Sequence, residues 1–82
     1  MILADQITQH VVSRYLVPAW KENKEQISIR AGDVHKEMGL RQRMPAVCGV
    51  LGSEKFQKLA RTHLVDQTGP HQGANAVFTF QL

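Results

Sequence analysis

The first quarter of the chain repeats apolar residues with the period of a helix. This apolar stripe consists of Leu3, Ile7, Val11 and Tyr15, with Val12, Leu16, Ala19 and Trp20 widening it. A spacing of three and four residues places such side chains on one helical face, so we predict a long first helix over residues 2–26. Pro18 lacks a backbone donor and crowds the preceding turn, and we therefore expect a kink or a break near residues 15–17.

A short strand and a short second helix are predicted next. Apolar and polar residues alternate over residues 27–30, which predicts a strand with both isoleucines facing inward. Val34 and Met38 share one face of the helix that follows. Gly39 suits the left-handed residue that ends a helix, and Leu40 is expected to pack back against the core.

The third helix is expected to begin at Pro45. Proline disfavours helical geometry at the residue before it and is preorganised for the first helical position. Gly52 weakens the helix, and Ser53 can cap a further turn that carries Phe56 and Leu59 inward. The pattern allows either one bent helix or two short helices over residues 45–60.

The carboxyl-terminal segment changes to the period of a strand. Residues 62–67 and 76–82 both suit strands, and residues 68–75 between them are rich in turn formers. We predict an antiparallel hairpin with a long tip, in which Phe78 and Phe80 face inward.

The order helix, strand, helix, turn, helix, hairpin predicts an α+β fold. It is the order of a winged helix-turn-helix domain: a three-helix core with a short strand and a carboxyl-terminal β-hairpin wing. A chain of 82 residues is long enough for one domain, so we expect a single domain over residues 1–82. Because two strands alone are not stable, the hairpin must pack on the rest of the domain.

Two runs of sequence carry a family resemblance. They are Ile29-Arg30-Ala31-Gly32-Asp33-Val34-His35-Lys36-Glu37-Met38-Gly39-Leu40 and Arg43-Met44-Pro45-Ala46-Val47-Cys48. Residues 27–82 resemble small prokaryotic winged helix-turn-helix DNA-binding proteins. The resemblance implies a helix-turn-helix core and a DNA-binding role, without a particular operator. The turn at residues 39–44 departs from the pattern, because it is longer than the usual three to four residues.

The charge of the chain is concentrated in one segment. The formal net charge is +3, and residues 36–61 hold six basic and two acidic residues. A clustered positive surface attracts polyanions by releasing their counterions. This distribution favours a nucleic-acid partner, whereas the alternative interpretation of each basic side chain is a solvated surface.

The candidate DNA-binding residues fall into three groups. They are Arg41, Gln42 and Arg43 before the third helix, Lys55 and Lys58 farther along, and His71, Gln72 and Asn75 in the hairpin tip. Arginine can bridge two guanine acceptors and glutamine can pair with adenine, while lysines suit phosphates. Arg30 has two interpretations, a phosphate contact or a pair with Asp33.

We expect neither catalysis nor a bound metal or cofactor. The four histidines and the single cysteine lack the spacing of a zinc site. Residues 49–53 lack the lysine and the spacing of a phosphate-binding loop. Cys48 is interpreted as a small buried residue rather than a nucleophile.

A cytoplasmic location and two partner arrangements follow from the remaining features. No stretch approaches the roughly 20 apolar residues that cross a bilayer, Met1–Gln9 does not resemble a secretory signal, and a lone cysteine fits a reducing compartment. Double-stranded DNA is the expected partner. The first helix is a candidate seam for a homodimer, and a protein-interaction module on the same scaffold is the alternative function.

Overall fold

The structure is a computed structural model that describes residues 2–70 and 73–82. Within these residues the chain forms α1 (Leu3–Val11), a π-helical turn (Val12–Leu16), α2 (Val17–Lys21), β1 (Gln26–Arg30), α3 (Ala31–Glu37), α4 (Met44–Leu51), α5 (Glu54–Ala60), β2 (His63–Thr68) and β3 (Val77–Gln81). The predicted α+β class is confirmed, because helices pack with an antiparallel sheet.

The first helix is interrupted, but not ended, near its proline. It runs from Leu3 to Lys21 and includes a π-helical turn just before Pro18. The N–H of Val17 reaches back five residues to the carbonyl of Val12. Turns of this kind occur as single insertions in α-helices. The interruption that proline predicts is therefore confirmed.

The first helix ends five residues earlier than the predicted boundary at residue 26. Asn23 adopts a left-handed conformation, with φ 58°. Its N–H donates to the carbonyl of Trp20, and the N–H of Lys24 donates to the carbonyl of Ala19 at 3.0 Å. This pair of bonds is a Schellman motif, which satisfies the last carbonyls and stops the helix. The predicted boundary was wrong because the asparagine supplies a stop signal.

The sheet has the strand order β1–β3–β2 and is antiparallel throughout. Phe80 lies between Ile27 of β1 and Leu64 of β2. Phe78 lies opposite Ile29. Both phenylalanines and Ile29 are fully buried, so the predicted inward face is confirmed. The helices cover this face and give the hairpin the support that two strands lack.

The second helix ends at the glycine that the sequence singles out. Gly39 has φ 66°, its N–H donates to the carbonyl of Lys36, and the N–H of Leu40 donates to the carbonyl of His35 at 3.1 Å. Leu40 then packs against the core. Both expectations for this segment are confirmed.

Residues 45–60 form two helices rather than one bent helix. The α4 helix ends at Leu51, and α5 begins after Ser53. The N–H of Phe56 donates to the Ser53 hydroxyl at 3.1 Å, which is the bond of a helix cap. The cap expected at Ser53 is confirmed.

The inward orientation predicted for Leu59 is wrong. Phe56 and Ala60 are buried, whereas Leu59 is 60% exposed. Successive residues of an α-helix are about 100° apart, so the face that buries Ala60 turns Leu59 toward solvent.

The core lies between the sheet and the helices. Its buried members are Ile7, Val11, Leu16, Ile29, Ala31, Val34, Val47, Cys48, Leu51, Phe56, Ala60, Ala76, Phe78 and Phe80. The rings of Phe56 and Phe80 lie 5.3 Å apart, within the range of favourable aromatic pairs. Burial raises the pKa of the Cys48 thiol. The expected burial of Cys48 is confirmed.

Candidate nucleic-acid interface

The turn between α3 and α4 presents three polar side chains to solvent. We call residues 41–43 the basic turn; Arg41, Gln42 and Arg43 are all exposed. The backbone N–H of Arg43 donates to Nε2 of His35 at 3.2 Å. Gln42 has φ 53°, a left-handed conformation that is uncommon for residues other than glycine. The backbone of the turn is therefore held while its side chains point outward.

The arginines of the basic turn are free to meet a polyanion. Within residues 2–70 and 73–82, Arg41 makes no side-chain hydrogen bond or ion pair. Arg43 makes one long contact, from Nη1 to the carbonyl of Gln42 at 3.4 Å. Both guanidinium groups thus keep the fork of donors that matches phosphate or guanine.

The outward face of α4 contrasts with the turn before it. Pro45 and Gly49 are exposed, and Met44, Ala46 and Val50 are half-buried. Apart from the buried thiol of Cys48, the helix carries no polar side chain. Hydrogen bonds from side chains in this region must therefore come from the basic turn. The composition of residues 44–51 was a sufficient signal for this feature, which our sequence interpretation missed.

The surface of α4 is open at Gly49, although packing within the chain does not require a glycine there. A Cβ built at Gly49 would meet no other atom within 4 Å. Glycine in a helix costs roughly 0.5–1 kcal/mol relative to alanine. Since internal packing does not require this glycine, its effect is to leave space on the outer surface of α4.

The hairpin is fastened to the start of α3. The N–H of Ala31 donates to the carbonyl of Ala76 at 2.9 Å, and the N–H of Gly32 donates to the carbonyl of Ala74 at 3.0 Å. A Cβ at Gly32 would lie 2.7 Å from the carbonyl oxygen of Ala74. The close approach of these two backbones requires a glycine there.

Asn75 lies at this junction and is bonded within the chain. The Arg30 guanidinium donates to Oδ1 of Asn75 at 2.7 Å and to Oδ1 of Asp33 at 2.9 Å. Of the two interpretations of Arg30, the structure shows the pair with Asp33. The other tip candidates, His71 and Gln72, lie outside the described residues.

Lys55 and Lys58 are exposed on α5, and this helix runs away from the hairpin loop. A Cβ at Gly52 would lie 3.7 Å from the ring of Phe78. Farther along, the ring of Phe56 contacts Phe80. The helix thus proceeds toward the end of β3 that is opposite the hairpin loop. The basic segment predicted from sequence is therefore divided among α3, the basic turn and α5 with the residue that ends it.

A hydrogen-bonded cluster joins the first helix to the end of α3. Glu37 accepts a bond from the Tyr15 hydroxyl at 2.7 Å and pairs with Nε2 of His10 at 2.8 Å. The guanidinium carbon of Arg14 lies 5.5 Å from the Tyr15 ring centroid. Residues separated by 22 and 27 positions in the chain meet here, and no local pattern announces such a contact.

The cluster shifts two pKa values. Burial opposes ionisation of Glu37, but the hydrogen bonds from Tyr15 and His10, with the charge of Arg14, leave the pKa of the carboxyl below its ordinary value. Burial, followed by the hydrogen bond to Glu37, raises the pKa of Tyr15 to about 12. Both shifts favour the bonded pair of a carboxylate and a neutral phenol.

Two further features concern only the part of the chain that the structure describes. There, no three side chains of histidine, cysteine, aspartate or glutamate are grouped so as to hold a metal ion. Nor does a helix of these residues have both the length and the apolar character needed to span a bilayer.

The fold and the site together define a small α+β domain with an exposed basic turn. Comparisons with protein-family models, curated proteins and solved structures find no significant match to this chain. The resemblance to small prokaryotic winged-helix proteins therefore stays a prediction, carried by the two runs of sequence quoted above.

Proposed function

We propose that this chain is a winged helix-turn-helix domain that binds duplex DNA without catalysing a reaction. The order of helices and strands supports this proposal, with β3 central and the β2–β3 hairpin as the wing. In such domains the helix after the turn enters the major groove. Here that helix is α4.

The observation that carries the proposal is the exposed basic turn at the start of α4. Arg41 and Arg43 bring positive charge to the end of the helix that would enter the groove, and Gln42 lies between them. We assign base contacts to these three side chains, because arginine recognises guanine and glutamine recognises adenine. The hydrogen bond that the backbone N–H of Arg43 donates to His35 limits the conformational freedom of the turn that binding would otherwise remove.

The bare surface of α4 suits close approach rather than hydrogen bonding. With Pro45 and Gly49 outward, the helix can lie near the bases and contact thymine methyl groups, which are the apolar feature of the major groove. Sequence preference would then depend on the basic turn, and α4 would contribute shape.

The other predicted contacts take secondary places in this proposal. Lys55 and Lys58 suit phosphates on the flank of the site, since neither lysine is bonded within the described residues. Asn75 acts through Arg30 at the base of the wing. Contacts by His71 and Gln72 stay predictions.

Binding to duplex DNA at a series of salt concentrations tests the proposal. We expect affinity to fall steeply with salt. Arg41→Ala with Arg43→Ala should weaken binding to the preferred duplex by about 1–3 kcal/mol for each base contact removed. Lys21→Ala with Lys24→Ala is the matched control, because it removes two exposed lysines elsewhere. The wild-type preference between duplex sequences should also weaken in the arginine variant.

The competing function is a protein-interaction module, and the same titration separates the two. Such a module would leave duplex DNA unbound even at low salt. The first helix offers less free apolar surface for a homodimer than its stripe predicts, because Val11 and Leu16 are fully buried in the chain's own core. Trp20 and Ile2 are exposed, so this arrangement stays a prediction that sedimentation can test.

A further inference from the structure

A cleft of about 610 Å³ opens between the end of α5 and the start of β2. It is lined by Glu54, Gln57, Lys58, Arg61, Thr62 and His63. Its volume falls in the range of small-ligand sites. His63 pairs with Gln81 at the end of the sheet opposite the hairpin loop, and the cleft includes no residue of the basic turn.

The neutral polar side chains of the cleft already have partners. The Thr62 hydroxyl donates to the carbonyl of Gln81 at 2.6 Å. The Gln57 side chain accepts from the N–H of Leu64 at 3.1 Å and donates to the carbonyl of Ser53 at 3.5 Å. A ligand in the cleft would therefore meet chiefly the charged side chains.

Those charged side chains are mostly basic. Lys58, Arg61 and His63 are exposed, and within residues 2–70 and 73–82 none of them forms a side-chain hydrogen bond or an ion pair. Glu54 is the carboxylate of the lining. With two permanent cations and a histidine against this one carboxylate, the cleft favours an anion.

The backbone at Arg61 places a cation at the point where α5 ends. Arg61 has φ 53°, and the N–H of Thr62 closes the end of α5 by donating to the carbonyl of Gln57 at 3.0 Å. Glycine is the residue that best suits this left-handed position after a helix. The chain instead has an arginine there, and Arg61 is one of the residues that line the cleft.

We propose that this cleft binds a phosphate group through Lys58, Arg61 and His63. The planar guanidinium can hold two phosphate oxygens at once, and the lysine supplies a point charge. His63 lies beside them in the lining, and Glu54 is the acidic side chain there. A free nucleotide and the backbone of a nucleic acid offer the same phosphate chemistry.

The test is an NMR titration of the full chain with adenosine 5′-monophosphate, inorganic phosphate and adenosine. We expect the two phosphates to shift the amides of residues 58–63, and adenosine, which lacks a phosphate, to leave them in place. Arg61→Gly should weaken binding of the monophosphate by about tenfold or more while raising the thermal midpoint, since glycine relieves the left-handed position. Lys58→Gln should weaken binding without affecting that position.

Lys21→Gln is the matched control, because Lys21 is an exposed lysine outside the cleft. Shifts of equal size around Lys21, or monophosphate binding that survives both Arg61→Gly and Lys58→Gln, would overturn the proposal. Duplex DNA distinguishes the two phosphate sources: Arg61→Gly lowers duplex affinity if the backbone occupies the cleft and leaves it unchanged if a free nucleotide does. Because the Arg41→Ala, Arg43→Ala variant keeps the cleft intact, failure of DNA recognition at the basic turn leaves this inference standing.

Discussion

Two substitutions at Gly49 test stability and DNA binding separately. Alanine should stabilise the fold, and leucine should weaken binding to duplex DNA. Its Cβ position is open to 4 Å in the free chain, so Gly49→Ala adds a methyl group without a clash. Alanine also loses less backbone entropy than glycine on folding. We expect the free energy of unfolding to increase by about 0.5–1 kcal/mol.

The expected gain is large enough to measure in a chain of this length. For a domain of 60–100 residues, 1 kcal/mol corresponds to roughly 4–8 °C in the thermal midpoint, so Gly49→Ala should raise it by about 2–8 °C. Urea unfolding followed by circular dichroism gives the free energy directly. Gly39→Ala is the opposing control: with φ 66°, it forces alanine into the left-handed region and should destabilise the protein by about 1 kcal/mol.

Duplex binding supplies the second half of the test. Gly49→Leu places a branched side chain on the surface of α4 that we assign to the groove, so affinity should fall by about tenfold or more while the chain stays folded. Fluorescence anisotropy with a labelled duplex measures it. Equal stability changes at Gly49 and Gly39 would refute the packing argument, and unchanged affinity in folded Gly49→Leu would remove α4 from the interface.

Three further predictions concern stability. Glu37→Gln should cost about 0.5–1.5 kcal/mol at pH 7, measured by urea unfolding. Because the folded pKa of Glu37 is lowered, its contribution is present above the unfolded pKa and disappears as pH falls through the folded value, so the deficit should shrink in acid. Tyr15, with its pKa raised to about 12, should lose its contribution as pH rises from about 10 through 12. Ser53→Ala removes the cap of α5 and should cost about 1 kcal/mol; an unchanged urea midpoint would contradict the role of its bond to Phe56.

The parts of the fold that follow local rules could be predicted from sequence. Alternation identified the inward pair Phe78 and Phe80, and both are fully buried. Gly39 and Ser53 end and begin helices as their backbone and side-chain chemistry requires. The error at Leu59 is different in kind: Leu59 and Ala60 lie on either side of the stripe that Phe56 begins, and the sequence pattern does not decide which of the two the fold buries.

The contacts that arrange the candidate site could not be predicted in this way. Arg30 meets Asn75 across 45 positions, and His10 meets Glu37 across 27. Hydrophobic periodicity reports which face of an element is buried, but it does not specify which polar groups meet across the fold. The basic turn itself was predicted, because all three residues are polar and follow a helix-ending glycine. The sequence did not predict which of their side chains would form hydrogen bonds within the chain.

These long-range contacts hold α3 at both ends, and this arrangement has a consequence for recognition. At its start, backbone bonds fasten α3 to Ala74 and Ala76 of the hairpin. At its end, Glu37 ties it to the first helix, and His35 binds the backbone of Arg43. For the function proposed above, the domain must present the basic turn and the hairpin to one duplex in a single register. Because α3 contacts both, it is the element that sets their separation. A substitution that breaks the contacts at either end of α3 should therefore reduce discrimination between DNA sequences more than it reduces nonspecific binding, which depends on charge alone.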